Sequence, residues 1–258
     1  MFTVNPFTES SAYISVFYMK AYIILMILLV FGGTVFDVIH KGSAKYFFYA
    51  WKNNRESKTI GSKNILSVLM HTTIEALVSG EFCNWRRRAC HLLTMYGFLA
   101  YIFSTILMIF FYSNTAQGVP VVVPVLWYVG SFSVCIGGYW FWFFVRVDVV
   151  AEGKSRFQFV QADLFILLTL TSVTLGLIWG CTAEIDAIWT RILFTLYLFF
   201  TALLFGTVPW SKFSHMFYKP VASFQKHISQ EDGSRDNLPP PSSNSELLGS
   251  VRRVPRNY

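Results

Sequence analysis

The sequence predicts an all-α integral membrane protein: a five-helix transmembrane bundle with its amino terminus outside and its carboxy terminus cytoplasmic. Three observations lead there. Of 258 residues 54% are apolar and only 14% charged, a balance too greasy for a water-soluble domain. Five stretches, residues 18–40, 91–112, 123–147, 162–181 and 187–209, can each cross a hydrocarbon core about 30 Å thick, which takes about 20 helical residues. The segments between them alternate in charge. Unpaired strands are excluded in lipid, because every backbone polar group there must be satisfied internally.

Taken in order, residues 1–17 form an outer amino-terminal segment without the basic stretch that opens a signal peptide, so the first apolar run reads as a retained helix. The membrane domain, 18–222, carries a loop at about 41–90. That loop holds Lys41, Lys45, Lys52, Arg55, Lys58 and Lys63 and closes on Arg86, Arg87 and Arg88. In its second half Ile65, Leu66, Leu69, Met70, Thr73, Ile74 and Leu77 recur at helical spacing, the pattern of a helix lying at the membrane surface. Residues 113–122 are uncharged and 182–187 hold only Glu184 and Asp186, whereas Lys212, Lys219 and Lys226 follow the last span. The positive-inside rule therefore puts the 41–90 loop and the carboxy terminus in the cytoplasm. Residues 223–258, polar and interrupted by Pro239, Pro240 and Pro241, read as a disordered cytoplasmic tail.

Several function classes fall away. The net charge of +7 is explained by topology, leaving nucleic-acid binding without support. A transporter needs ionisable groups inside its spans, and these spans carry almost none. Cys83, Cys90, Cys135 and Cys181 make no recognisable framework. Cys90-His91 ends a c-type haem motif whose first cysteine is misplaced at Cys83, so these residues read as small membrane or loop side chains. Glycines within the spans let helices approach closely, and would equally give room to a flat cofactor.

The histidines carry the chemistry. His91 opens the second span just after the three arginines, and His215 follows the fifth span on its return, so both arrive at one membrane depth. Two imidazoles on separate helices suit a bis-histidine b-type haem, with Arg86, Arg87, Arg88 and Lys212 placed to neutralise its propionates. Tyr101 lies ten residues beyond His91. Tyr197 precedes His215 by eighteen, which on an unbroken helix is five turns, or about 27 Å, with Pro209 between them placed to kink that helix. His71, one turn from Glu75, is a reserve haem ligand. Asp37 and His40, one turn apart at the inner end of the first span, could bind and protonate a quinone carbonyl; the plainer alternative is that they only end the helix at the head groups. Arg146, Asp148 and Asp163 read as helix-end markers.

On these residues the chain resembles the membrane cytochrome b, or gamma, subunits of respiratory nitrate reductases, in which four histidines at these spacings hold two haems. Here His91 and His215 match the cytoplasm-proximal pair, while Tyr101 and Tyr197 stand at the outer positions, so the resemblance implies one haem b. The motifs running from Cys83 to Phe98 and from Pro209 to Pro220 look closer to a sulfur-metabolism branch of that superfamily. Without ferredoxin-type cysteines, the chain is most similar to the membrane anchors associated with dissimilatory adenylylsulfate reductase. That resemblance implies a non-catalytic or quinone-reactive subunit in the cell inner membrane, with no catalytic residues of its own. It would carry electrons between a soluble flavin and iron–sulfur oxidoreductase on the cytoplasmic face and membrane quinone. The alternative is a haem-free anchor that only recruits that enzyme.

Overall fold

The computed structural model describes residues 2–11, 13–40, 62–80, 82, 84–113, 118–146, 159, 163–185, 188–211 and 215–231; the side chains of 62–64, 215–219 and 229–231 lie outside that description. Among the described residues the regular structure is helical. The helices are α1 (Pro6–Ser10), α2 (Val16–His40), α3 (Ser62–Val78), α4 (Trp85–Phe110), α5 (Val122–Trp140), α6 (Leu164–Thr182), α7 (Ile188–Gly206) and α8 (His215–Glu231). Five of these, α2, α4, α5 with the π-helical turn Phe141–Val145 that extends it, α6 and α7, are long and apolar enough to cross a membrane. The chain is thus an all-α, multi-pass membrane protein, as its hydropathy predicts.

The chain divides into two compact units, Met1–Phe36 with Arg86–Ser214, and Asp37–Trp85 with His215–Tyr258. The first unit holds the bundle. Its α4 and α5 meet backbone to backbone: a Cβ on Gly97 would stand 2.8 Å from the Gly130 carbonyl oxygen, and one on Gly130 would stand 2.8 Å from that of Gly97. Where lipid removes the hydrophobic incentive for association, such small-residue contacts let dispersion and weak polar forces act at short range. The same crossing continues at Gly137, whose Cβ would reach the Cys90 carbonyl at 2.8 Å. At the crossing itself these glycines are met by the neighbouring helix.

Residues 1–17 are more than a lead-in. Asn5 caps α1 by accepting from the Phe7 amide at 3.0 Å, while its Nδ2 donates to the Met108 and Tyr112 carbonyls at 3.3 and 3.0 Å, tying α1 to the end of α4. Pro6 stands in the first turn, where its missing N–H costs nothing. Phe7, 3% exposed, then inserts between Trp127 and Trp179, its ring centre 6.1 and 5.1 Å from theirs. On the other flank α2 packs through Met26 on Leu204, Phe205 and Val208, and its Tyr22 hydroxyl donates to the Leu198 carbonyl at 2.6 Å.

The return from the last span is broken at Pro209. α7 stops at Gly206, and Val208–Trp210 forms a 3-10 turn before Ser211 extends. Pro209 has no amide hydrogen to continue an α-helix, and the turn seats against Gly33 of α2. The five-turn phase relation between Tyr197 and His215 therefore does not hold.

The second unit holds α3 and α8. α3 ends in a Schellman motif: Ser79 takes a left-handed conformation at φ 53°, and the Gly80 and Ser79 amides bond the Glu75 and Ala76 carbonyls at 2.9 and 3.3 Å. Val68 and Thr72 are buried, whereas Ile65, Leu66, Leu69, Met70, Ile74 and Leu77 are exposed. α3 thus turns a polar side to α8 and leaves its apolar stripe outward, as a membrane-surface helix does. α8 runs past the expected boundary at 222 to Glu231. Its amphipathic spacing supports a helix where composition alone reads as disorder. The tail beyond it, 232–258, lies outside the described residues.

Candidate functional site

The basic end of α4 carries the first group of expected residues. Arg86, Arg87 and Arg88 occupy its first turn and His91 the next, with His91 and Arg86 exposed and the other two half-buried. His215 is the first residue of α8, with its side chain outside the description, and Lys212 lies outside the described residues. His91 belongs to the first compact unit and His215 to the second.

Ten residues along α4 the environment changes completely. Tyr101 and Tyr197, each 4% exposed, face one another, and the Tyr101 hydroxyl donates to that of Tyr197 at 2.6 Å. Trp179 stacks on Tyr197 with ring centres 5.8 Å apart, and Trp127 leans on Tyr101 at 5.6 Å. No macrocycle fits between two hydroxyls at that separation. The outer pair of the resemblance is a hydrogen-bonded packing element.

Trp127 Nε1 donates to Thr105 Oγ1 at 3.0 Å, but the indole N–H of Trp179 is buried without a hydrogen bond. Most hydroxyls around them are spent on carbonyls one turn back in their own helix: Ser104 on Ala100 at 2.7 Å, Thr105 on Tyr101 at 2.7 Å, Ser131 on Trp127 at 2.7 Å and Thr169 on Phe165 at 2.7 Å.

An apolar groove of about 470 Å³ runs between α4 and α5, walled by Leu92, Leu93, Tyr96, Gly97, Ala100 and Val129. It begins at the level of His91. Asp37 and His40 end α2, the carboxylate buried at 2% exposure and the imidazole exposed.

Arg146 and Asp163 do more than mark helix ends. The Arg146 guanidinium bonds the Asp163 carboxylate in a buried ion pair and lies 3.9 Å from the Trp142 ring centre, joining the end of the third span to the start of the fourth. Asp148 lies outside the described residues. Breaking such a pair strands a buried charge, which is why its two halves hold together.

His71 stands in a different setting from that of a haem ligand. On α3 it neighbours Glu75, and His227 of α8 approaches both; the ligand atoms of the three lie within 4.8 Å of one another. The His71 and His227 rings meet edge to face at 5.2 Å. His227 Nε2 stands 3.5 Å from Glu75 Oε2, and its Nδ1 3.0 Å from Thr72 Oγ1. Two imidazoles and a carboxylate so close together suit a bare cation better than a porphyrin needing axial ligands on opposite faces. His227, one of the five histidines that the sequence places on the cytoplasmic side, gains no site role from the sequence because it lies 155 residues from Thr72 in a segment that reads as tail.

Cys90, Cys135 and Cys181 are free thiols, and Cys83 lies outside the described residues. Comparison with protein-family models, curated proteins and solved structures gives no match for this chain.

Proposed function

We propose that this chain is the membrane anchor and electron-transfer subunit of a respiratory complex in the cell inner membrane. It would hold one b-type haem through His91 and His215 and link a soluble flavin and iron–sulfur enzyme, adenylylsulfate reductase, with the quinone pool. The observation that carries the reading is the asymmetry of α4. Its deeper aromatic position, Tyr101, is sealed by Tyr197, while His91 stays exposed at the basic end beside an apolar groove. When bound, a haem supplies a one-electron couple tuned by its axial ligands.

The protein's part is positional. His91 offers an imidazole from α4, and Arg86, Arg87 and Arg88 bring positive charge to one turn of that helix, suited to carboxylate groups of a cofactor or an acidic partner. The groove between α4 and α5 has the volume and apolar walls to take part of a quinone's isoprenoid tail, and Asp37 and His40 are kept as candidate polar groups for a quinone head.

A reduced-minus-oxidised absorption spectrum of the purified chain tests the reading. The expected result is a b-type signal at about one haem per chain, lost in both His91→Ala and His215→Ala and kept in Tyr101→Phe. A well-folded wild type with no such signal leaves the second reading, a haem-free anchor recruiting the soluble enzyme. The observation favouring that alternative is the bundle core, where Tyr101, Tyr197, Trp127 and Trp179 pack directly on one another.

A further inference from the structure

We infer that His71, Glu75 and His227 form a binding site for a divalent transition-metal ion, best suited to Zn²⁺, that clamps α3 to α8. His71 and Glu75 are one turn apart, so their side chains leave the same face of α3. Thr72 fixes the third ligand. Its hydroxyl gives its single proton to the Val68 carbonyl at 2.8 Å and so can only accept from His227 Nδ1 at 3.0 Å. With the ring hydrogen on Nδ1, a neutral His227 presents a bare lone pair at Nε2. Metal-binding histidines are commonly oriented by such a bond on the opposite nitrogen.

That lone pair faces Glu75 Oε2, which is sealed from solvent and makes no hydrogen bond. Two electron-rich atoms held face to face call for a cation between them. A proton shared in a charge-assisted bond draws nitrogen and oxygen to about 2.8 Å, whereas the separation here is 3.5 Å. Ligands bonded to tetrahedral Zn²⁺ at about 2.0–2.1 Å stand ~3.4 Å from each other, which matches. The exposed His71 ring closes the remaining gap, at most 4.8 Å, by rotation. Two nitrogens with one oxygen favour zinc over Ca²⁺ or Mg²⁺, which take oxygen ligands. A fourth position is left for water.

The test uses the full chain in nanodiscs, with any histidine tag removed, stripped by chelator and titrated with ZnCl₂ or CoCl₂ alone. The expected result is one ion per chain, with a Co²⁺ visible spectrum of a four-coordinate site. His71→Ala, Glu75→Gln and His227→Ala should each weaken affinity at least tenfold. Thr72→Val, which leaves all three ligands in place, should weaken it about 10–100-fold. Variants are compared only when monodisperse and helical by circular dichroism, and the wild-type cobalt spectrum decides the matter even if they are not. A wild type that takes up no stoichiometric ion, or unchanged affinity in both Glu75→Gln and His227→Ala, overturns the inference and leaves an imidazolium–carboxylate pair. Haem content read on the same preparations should not change, so this site and the haem reading fail separately.

Discussion

Trp127 and Trp179 are the same residue type, fully buried in the same core, yet only one has its indole hydrogen satisfied. Replacing either by phenylalanine removes the same volume, so the difference between the variants isolates one hydrogen bond. Trp127→Phe should be the less stable of the two by about 0.6–1 kcal/mol, read as a lower unfolding midpoint in detergent. Equal midpoints would mean that the bond to Thr105 contributes nothing. At this scale the sequence is legible only in part. That Tyr101 lies deeper along α4 than His91 follows from helical spacing, but the hydroxyl contact of Tyr101 with Tyr197 spans 96 positions and depends on how two helices rotate toward each other. The same holds for His227: its chemistry is written in one residue, its partners only in the pairing of α3 with α8.

Among elements, the five spans were readable because lipid imposes a length and a composition that no other context requires. Short or polar elements were not. α1 has too few residues to show a period and is held by tertiary bonds from Asn5, and α8 hides its amphipathic pattern within a polar composition. The break after α7 was signalled by Pro209, although its extent depends on the fit of the 3-10 turn against Gly33. The glycines also differ in ways that sequence does not display. A side chain at Gly97 meets a backbone carbonyl at 2.8 Å, whereas one at Gly32 meets nothing within 4 Å. Gly97→Ala should therefore push α4 and α5 apart at a cost of about 1–3 kcal/mol. Gly32→Ala should be neutral or raise stability by up to about 1 kcal/mol, from the better helix propensity of alanine. Thermal unfolding of the two variants side by side checks the contrast, and comparable losses would mean that the α4–α5 crossing is not so close.

For the whole molecule, the axis of the bundle is filled from its α1 end by Phe7, Trp127, Trp179, Tyr101 and Tyr197, with the nearby hydroxyls turned back on their own helices. A file of water needs a string of open donors and acceptors, and among the described residues this interior offers none that runs its length. Liposomes carrying the protein should accordingly hold an imposed pH gradient for as long as empty ones, as followed with an entrapped fluorescent dye; faster collapse would reveal a wire that the packing hides. A proton crossing this interior would have to pass the plug of rings at the bundle's heart. With that seal in place, a voltage across the membrane that carries the protein is not drained through the bundle.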